Sequence, residues 1–256
     1  MVTIKTPSEI EILRECGRRL ARILSVLSKA VYPGVFAKEL DQLAKKLISE
    51  GGDQSAFFGY TPAGGKRPYP AVLCVSVNNE VVHGIPNETE KILREGDIVS
   101  LDLGLSHRGL ICDSAVTVPV GVVDKTSLAL IETAKGALME GISKAQAGGR
   151  VGDIGFAISR FVKKAGFGVV RDLSGHGVGY KVHEDPYVPN YGSKGKGDVL
   201  KAGMVIAIEP MVNEGLGGVV LGKDGFTYNT IDGKRSAHFE HTVVITEKSA
   251  DILTAL

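Results

Sequence analysis

The sequence lacks the long apolar runs that membrane and secreted proteins carry. No stretch approaches the ~20 apolar residues that are needed to span a bilayer. The N-terminal segment MVTIKTPSEIEILRECGRRL contains acids and bases throughout, so it has no apolar centre of the kind found in signal peptides. Both absences argue against a membrane-spanning or exported protein.

Cysteine is scarce, and neither sign of charge dominates. The three cysteines, Cys16, Cys74 and Cys112, are far apart and form no CxxC pair, which suits a reduced cytoplasm better than a disulfide scaffold. Thirty Lys and Arg against 29 Asp and Glu leave a net charge of +1. This balance gives no bulk attraction for nucleic acid or membranes. We therefore expect a cytoplasmic protein that binds neither directly.

No Pro/Ser-rich linker divides the 256 residues, which predicts one domain over residues 1–256. Thr6-Pro7-Ser8-Glu9 has the N-cap, the N1 proline and the glutamate of a capping box, so a first helix should begin there. A second helix is predicted from about Ala37 to the Gly51-Gly52 pair. Two further helices are predicted over about 126–146 and 152–165.

The order helix, helix, strands occurs twice, and two segments of the chain align without gaps on later ones. GVFAKELDQLAKKLISEGG (34–52) aligns on GGRVGDIGFAISRFVKKAG (148–166), and LREGDIVSLDLG (93–104) aligns on LKAGMVIAIEPM (200–211). Identity is low, so chance is an alternative explanation for either match alone, but two matches in the same order favour an internal duplication. We expect halves of about 1–120 and 121–256 in one α/β (α+β) fold, with a curved, mostly antiparallel sheet covered by helices on one side.

Apart from Asp97 at the edge of one segment, four acids lie within the apolar segments predicted to be strands. Those segments are 71–77, 97–105, 110–120, 204–212 and 237–246, and the acids are Asp102, Asp113, Glu209 and Glu240. A buried, unpaired carboxylate is costly, and no Lys or Arg lies in these acid-bearing segments. With His176, which is flanked by glycines in SGHGVG, the acids form a mainly hard ligand set. That set predicts a site for two divalent ions, Co, Mn, Fe or Zn.

Each residue also has a structural interpretation. Asp102 alone is more often a hydrogen-bonding or ion-paired residue, Glu240 beside His241 suggests an internal ion pair, and a histidine between glycines is usually a loop residue. The joint pattern favours the metal site. His83 and His183 precede turns, where reactive groups are often presented, although a surface loop explains their spacing equally well. His107 and His238 are interpreted as incidental, and His241 is not assigned to the site.

Six stretches resemble the methionine aminopeptidases, metallopeptidases with the pita-bread fold. They are VSVNNEVVHGIP, GDIVSLDLG, ICDSAVT, SGHGVGYKVHEDPYVPNY, LKAGMVIAIEPM and HFEHTVVIT. The resemblance covers nearly the whole chain, and the ligand positions follow the family order Asp, Asp, His, Glu, Glu. We expect a type 1 enzyme, without the N-terminal domain of prolidases or the long insert of type 2 enzymes.

The resemblance implies a role for each ligand. Asp102 would chelate one ion, Asp113 and Glu240 would bridge both, and His176 and Glu209 would hold the other. The resemblance also implies two residues that face the substrate. His183 would contact the scissile carbonyl or stabilise the tetrahedral intermediate, and His83 would lie near the attacking or departing groups. The resemblance also places four residues near positions that line the family's methionine side-chain pocket: Tyr60, Tyr69, Cys74 and Phe226.

The chain departs from the family pattern around this pocket. The segment 59–70 is longer than expected, Val182 stands where an aromatic residue is frequent, and Phe226 stands where tryptophan is common. VNNEVVH also carries an additional Asn before the usual Glu. These departures concern the shape of the pocket and the substrate range, because none of them changes a predicted metal ligand.

The expected reaction is removal of the N-terminal methionine from nascent proteins and peptides, with a small second residue preferred. A hydroxide bridging two ions would attack the carbonyl, and Glu209 would carry the proton to the leaving amine. The alternatives are a proline-specific aminopeptidase or dipeptidase on the same fold, and a non-catalytic pita-bread protein that binds peptides. We expect a monomer. Docking at the ribosome would suit such an enzyme, but no basic patch indicates it.

Overall fold

The computed structural model describes residues 2–62 and 64–256, which form four helices and fifteen strands. The helices are α1 (Pro7–Lys29), α2 (Ala37–Glu50), α3 (Lys125–Ile142) and α4 (Val151–Lys164). The first strands are β1 (Gln54–Ser55), β2 (Cys74–Val77), β3 (Glu80–Val82), β4 (Ile98–His107), β5 (Leu110–Pro119), β6 (Gly168–Val169), β7 (Ser174–Gly177) and β8 (Glu184–Pro189). The remaining strands are β9 (Val205–Ile208), β10 (Met211–Asn213), β11 (Val219–Leu221), β12 (Tyr228–Thr230), β13 (Ser236–His238), β14 (Glu240–Ile245) and β15 (Ala250–Ile252).

The helix starts follow the local signals in the sequence. The Thr6 backbone N–H donates to the Glu9 carboxylate at 2.7 Å and the Glu9 N–H donates back to the Thr6 hydroxyl, so the predicted capping box is confirmed. Helix α2 ends at Glu50, with Gly51 as its C-cap. Helix α3 ends four residues before the predicted boundary.

Two predicted strands are divided and one is shortened. The segment 204–212 breaks into β9 and β10 around Glu209 and Pro210, because proline has no backbone N–H for the ladder. Glu209 therefore follows a strand instead of lying within one. The segment 237–246 breaks at Phe239, and β2 begins only at Cys74.

The shortening of β2 has a local cause. The Asp41 carboxylate accepts hydrogen bonds from the backbone N–H groups of Val72 and Leu73, at 2.8 and 3.1 Å. These amides are therefore satisfied by a helix side chain and do not pair with a neighbouring strand.

One large sheet joins the two parts of the chain. Its path is β1-β4-β5-β14-β9-β7-β8, with β2 paired to β4 and β15 paired to β14. Two smaller sheets have the orders β13-β10-β6 and β11-β12-β3. Every pairing within the described residues is antiparallel, as the sequence predicts. The early strands meet the late strands where β5 pairs with β14.

The two ends of the large sheet carry separate apolar clusters. One cluster packs α1 and α2 against β4 and β5, and the other packs α3 and α4 against β9 and β14. In β4, Leu101 and Leu103 are fully buried in the first cluster. Because side chains alternate along a strand, Asp102 between them points to the opposite face of the sheet. No helix in the described part of the chain is long and apolar enough to cross a membrane.

Gly17 provides a test of how α1 packs. A Cβ atom at this position would lie 2.1 Å from the Leu253 carbonyl oxygen, so the helix contacts the C-terminal segment backbone to backbone. We expect Gly17→Ala to lower the free energy of unfolding by about 3 kcal/mol, because an overpacked backbone contact cannot relax cheaply. Arg22→Ala, on the exposed side of the same helix, should change it by less than ~0.5 kcal/mol. Equal denaturant midpoints for the two variants would contradict this packing.

Candidate metal centre

The register of the large sheet places three of the acids on one face. Asp102 and Glu240 both lie opposite Ala115, and Asp113 lies opposite Gly104. Directly paired residues share a face, as do residues two apart on one strand. Asp102, Asp113 and Glu240 therefore point to the same side of the sheet, away from α1 and α2.

The next strands bring His176 and Glu209 to that side. His176 pairs with Ala207, and Glu209 follows Ala207 by two residues. The glycine after His176 is required sterically, because a Cβ on Gly177 would lie 2.2 Å from the carbonyl oxygen of Asp185. Glycine thus lets the neighbouring chain approach the histidine closely, as its flanking pattern suggests.

The five predicted ligands are close together and largely buried. His176 Nε2 lies 3.3 Å from Glu209 Oε1. One ligand atom each from Asp113, His176 and Glu240 lie within 4.8 Å of one another. Asp102, Asp113, His176 and Glu240 are 7% exposed or less, and the Glu209 side chain is 12% exposed.

The carboxylates have no protein cation to balance them. Among residues 2–62 and 64–256, no lysine or arginine forms an ion pair with any of the four acids. Burial, and then the charge of the neighbouring acids, raises the pKa of Asp102, Glu209 and Glu240 well above the usual range. Burial raises the pKa of Asp113 to about 7. Buried oxygens of Asp102 and Glu240 have no hydrogen-bond partner.

The His176 ring has the neutral protonation state that a metal-binding imidazole needs. Burial, and then the nearby His183, lowers its pKa to about 3. Its Nδ1 lies 3.0 Å from the carbonyl oxygen of Gly177, which only accepts hydrogen bonds, so the proton belongs on Nδ1. Nε2 then presents its lone pair toward Glu209. This arrangement, with orphaned carboxylate oxygens and an oriented imidazole, fits a divalent metal ion.

A small cavity of about 90 Å³ adjoins the acid cluster. Its apolar wall includes Phe57, Tyr69, Cys74, Val182 and Phe226. The Tyr69 and Phe226 rings meet edge to face at 5.3 Å, and Cys74 pairs directly with Asp102 across the sheet. Tyr60 completes the lining, so all four predicted pocket residues line this cavity.

The longer segment 59–70 positions two of these residues. It folds back on itself, with the Tyr69 N–H donating to the Tyr60 carbonyl at 2.8 Å and the Gly59 N–H donating to the Tyr69 carbonyl at 3.0 Å. Both tyrosines therefore lie at its base beside the cavity. Ala63 lies outside the described residues.

His83 and His183 lie where the cavity opens into a groove of about 680 Å³. His83 has a left-handed backbone with φ of 58°, which is uncommon for a residue with a side chain and is often found at functional sites. A 2.7 Å hydrogen bond joins Tyr60 Oη and His183 Nδ1, and the His183 ring lies 4.4 Å from the ring of His176. Burial lowers the pKa of His183, and it lowers that of His83 to about 4, so both rings are neutral at pH 7.

One further histidine lies in the cluster. The sequence analysis interpreted His238 as incidental. In the structure its Nε2 lies 3.6 Å from the Glu209 carboxylate and 4.0 Å from the Glu240 carboxylate. The available signal was its position two residues before Glu240, since such residues share a face of a strand. His107 and His241 bond elsewhere, to Asp53 and Thr254 respectively.

Comparisons with known proteins agree with this geometry. Residues 11–247 match metallopeptidase family M24. The chain is 45% identical over 254 residues to methionine aminopeptidase 1 of Bacillus subtilis, covering 99% of each protein. The crystal structure of a methionine aminopeptidase from Thermotoga maritima superposes with a TM-score of 0.95 at 46% identity, covering 100% of both chains.

A more distant structure shares the fold alone. The Xaa-Pro dipeptidase from Bacillus anthracis has a TM-score of 0.78 at 22% identity, and the match covers 98% of this chain but 61% of that one. The expected pita-bread fold is thus confirmed, with closer similarity to the aminopeptidases than to this dipeptidase. Fold, matched family and close relatives together show that the chain belongs to metallopeptidase family M24.

Proposed function

We propose that this protein is a methionine aminopeptidase that removes the N-terminal methionine from peptides and nascent chains. The observation that carries the proposal is a small apolar cavity that opens directly onto four carboxylates without a protein cation. The acids would bind the metal ions at which hydrolysis occurs, and the cavity would hold the side chain of the substrate's first residue. The full-length similarity to methionine aminopeptidases supports the same conclusion.

Asp102, Asp113, His176, Glu209 and Glu240 would hold two divalent ions. Divalent ions bound there would polarise the scissile carbonyl group and acidify water, lowering its pKa toward ~7. The donor set of carboxylates and imidazole suits Mn, Fe, Co or Zn. The positive charge would also balance the buried acids, which explains why the fold tolerates them.

The remaining steps belong to side chains of the protein. Glu209 borders both the cavity and the groove, so its carboxylate is placed to take a proton from the nucleophile and return it to the leaving amine. Burial raises the pKa of Tyr60, so its hydroxyl stays protonated and can donate a hydrogen bond to His183 Nδ1. The neutral His183 ring then carries its proton on Nε2, where it can donate to the developing oxyanion.

The cavity would select the first residue of the substrate. A methionine side chain is unbranched, and its sulfur contacts aromatic edges favourably. Tyr69 and Phe226 offer such edges, and Cys74 adds a small polarisable group beside Asp102. His83 and His183 lie at the opening, where the second residue of the substrate would pass. The similarity to methionine aminopeptidases implies that a small second residue is preferred.

Peptide hydrolysis tests the function directly. With Mn, Fe, Co or Zn added in turn, we expect release of the first residue from Met-Ala-Ser and none from an Xaa-Pro peptide whose first residue is not methionine. Glu240→Gln should lower the rate by more than ~100-fold and reduce bound metal, because even indirect changes at metal sites cost ~10–100-fold. Glu247→Gln, an exposed control, should match the wild type. Release only from the Xaa-Pro peptide, or no release with metal bound, would overturn the proposal.

His183→Ala separates chemistry from metal binding. We expect kcat to fall by ~10²–10³, because an oxyanion donor is lost, while the metal content stays at the wild-type level. Lys196→Ala, an exposed change outside the groove, serves as the control and should leave kcat unchanged. An unchanged kcat in His183→Ala would remove this residue from the reaction.

The electrostatic account predicts how the metal-free protein responds to pH. The pKa of Asp113 is about 7 in the folded protein and ~3.9 in an unfolded chain, so folding favours the protonated acid. Stability from this group is therefore lost as the pH rises from about 4 to about 7. Asp113→Asn removes that loss, so we expect it to melt higher than the wild type above pH 7, with little difference near pH 4.

Thermal unfolding with a chelator, repeated from pH 4 to pH 8, measures this difference. Asp198→Asn, at an exposed position, should follow the wild type at every pH. Adding Mn²⁺ should raise the melting temperature of the wild type more than that of Asp113→Asn. A melting difference between Asp113→Asn and the wild type that does not change with pH would contradict the charge argument.

A further inference from the structure

His238 is a buried imidazole without a hydrogen-bond partner. The residue is 1% exposed, and neither ring nitrogen bonds to any atom of the described residues. A buried polar group left unpaired costs ~1–3 kcal/mol, and such groups usually signal an ion, a water or a functional role. None of the roles assigned above uses this side chain.

The ring nitrogen faces two carboxylates at a spacing that suits a shared ion. His238 Nε2 lies 3.6 Å from Glu209 Oε2 and 4.0 Å from Glu240 Oε2. Both distances exceed the range of a hydrogen bond. Metal–ligand bonds of ~2.0–2.2 Å place two donor atoms on one ion ~3–4 Å apart. The His176–Glu209 separation of 3.3 Å falls in the same range.

The backbone holds His238 in this position. Its N–H donates to the Thr117 hydroxyl at 2.8 Å, and its carbonyl accepts from the same hydroxyl at 2.7 Å. On its other side, β13 pairs His238 with Met211 of β10. The residue is therefore fixed between two strands that border the cluster.

We propose that His238 is a nitrogen ligand of a divalent ion that it shares with Glu209 and Glu240. The proposal rests on the metal-dependent function above and adds a second imidazole to its ligand set. Imidazole suits Zn, Fe and Co, whereas carboxylates alone suit Mn and Mg. The site should therefore favour the first group of metals more strongly than the five expected ligands alone would.

X-ray absorption fine structure at the zinc edge counts imidazoles around bound metal. In the fully loaded wild type we expect two imidazoles per two-metal site, those of His176 and His238. In His238→Gln we expect one, that of His176. His241→Gln is the matched control, because His241 bonds to Thr254 and should not contribute to the count. Titration of each ion should show zinc affinity falling by ~10-fold or more in His238→Gln, with a smaller change for Mn²⁺.

One imidazole in the wild type, or the same count in wild type and His238→Gln, would overturn the proposal. The wild-type count decides the matter even if His238→Gln fails to fold. A count of one together with methionine release from Met-Ala-Ser would reject His238 as a ligand and leave the proposed function standing. A count of two without any methionine release would support His238 as a ligand and overturn the proposed function.

Discussion

The structure depends on the concentration of four carboxylates on one buried face of an antiparallel sheet. Burial raises the pKa of each one, no lysine or arginine of the described residues forms an ion pair with them, and buried oxygens of Asp102 and Glu240 have no hydrogen-bond partner. Natural folds rarely keep an arrangement of this cost unless a ligand compensates for it. Divalent cations bound there would remove the repulsion and would give the same acids a catalytic use.

The architecture explains how these residues come together from distant parts of the chain. Asp102 and Asp113 come from the neighbouring strands β4 and β5. His176 and Glu240 come from the later strands β7 and β14, and Glu209 directly follows β9. Strand β14 joins both groups, because it pairs with β5 on one side and β9 on the other. The two helix-backed apolar clusters pack against the strands on either side of the β5–β14 pairing.

Much of the site could be predicted from the sequence, because acids inside apolar strand patterns are few and conspicuous. The capping box at Thr6 and the glycines around His176 also had local signals. His238 had one weak signal, its position two residues before Glu240, but a buried histidine next to an aromatic residue resembles ordinary core until the neighbouring carboxylates are placed. The division of segment 204–212 had a signal in Pro210, although its effect on Glu209 depends on which strands pair around it.

The most direct test of the central claim is a crystal structure of the protein prepared with Mn²⁺, with anomalous scattering used to locate the metal. The account predicts strong anomalous density between Asp102, Asp113, Glu209 and Glu240, at bonding distance from their oxygens. Crystals grown with Mn²⁺ that show no density there, with the acids turned toward lysine or arginine side chains, would contradict it.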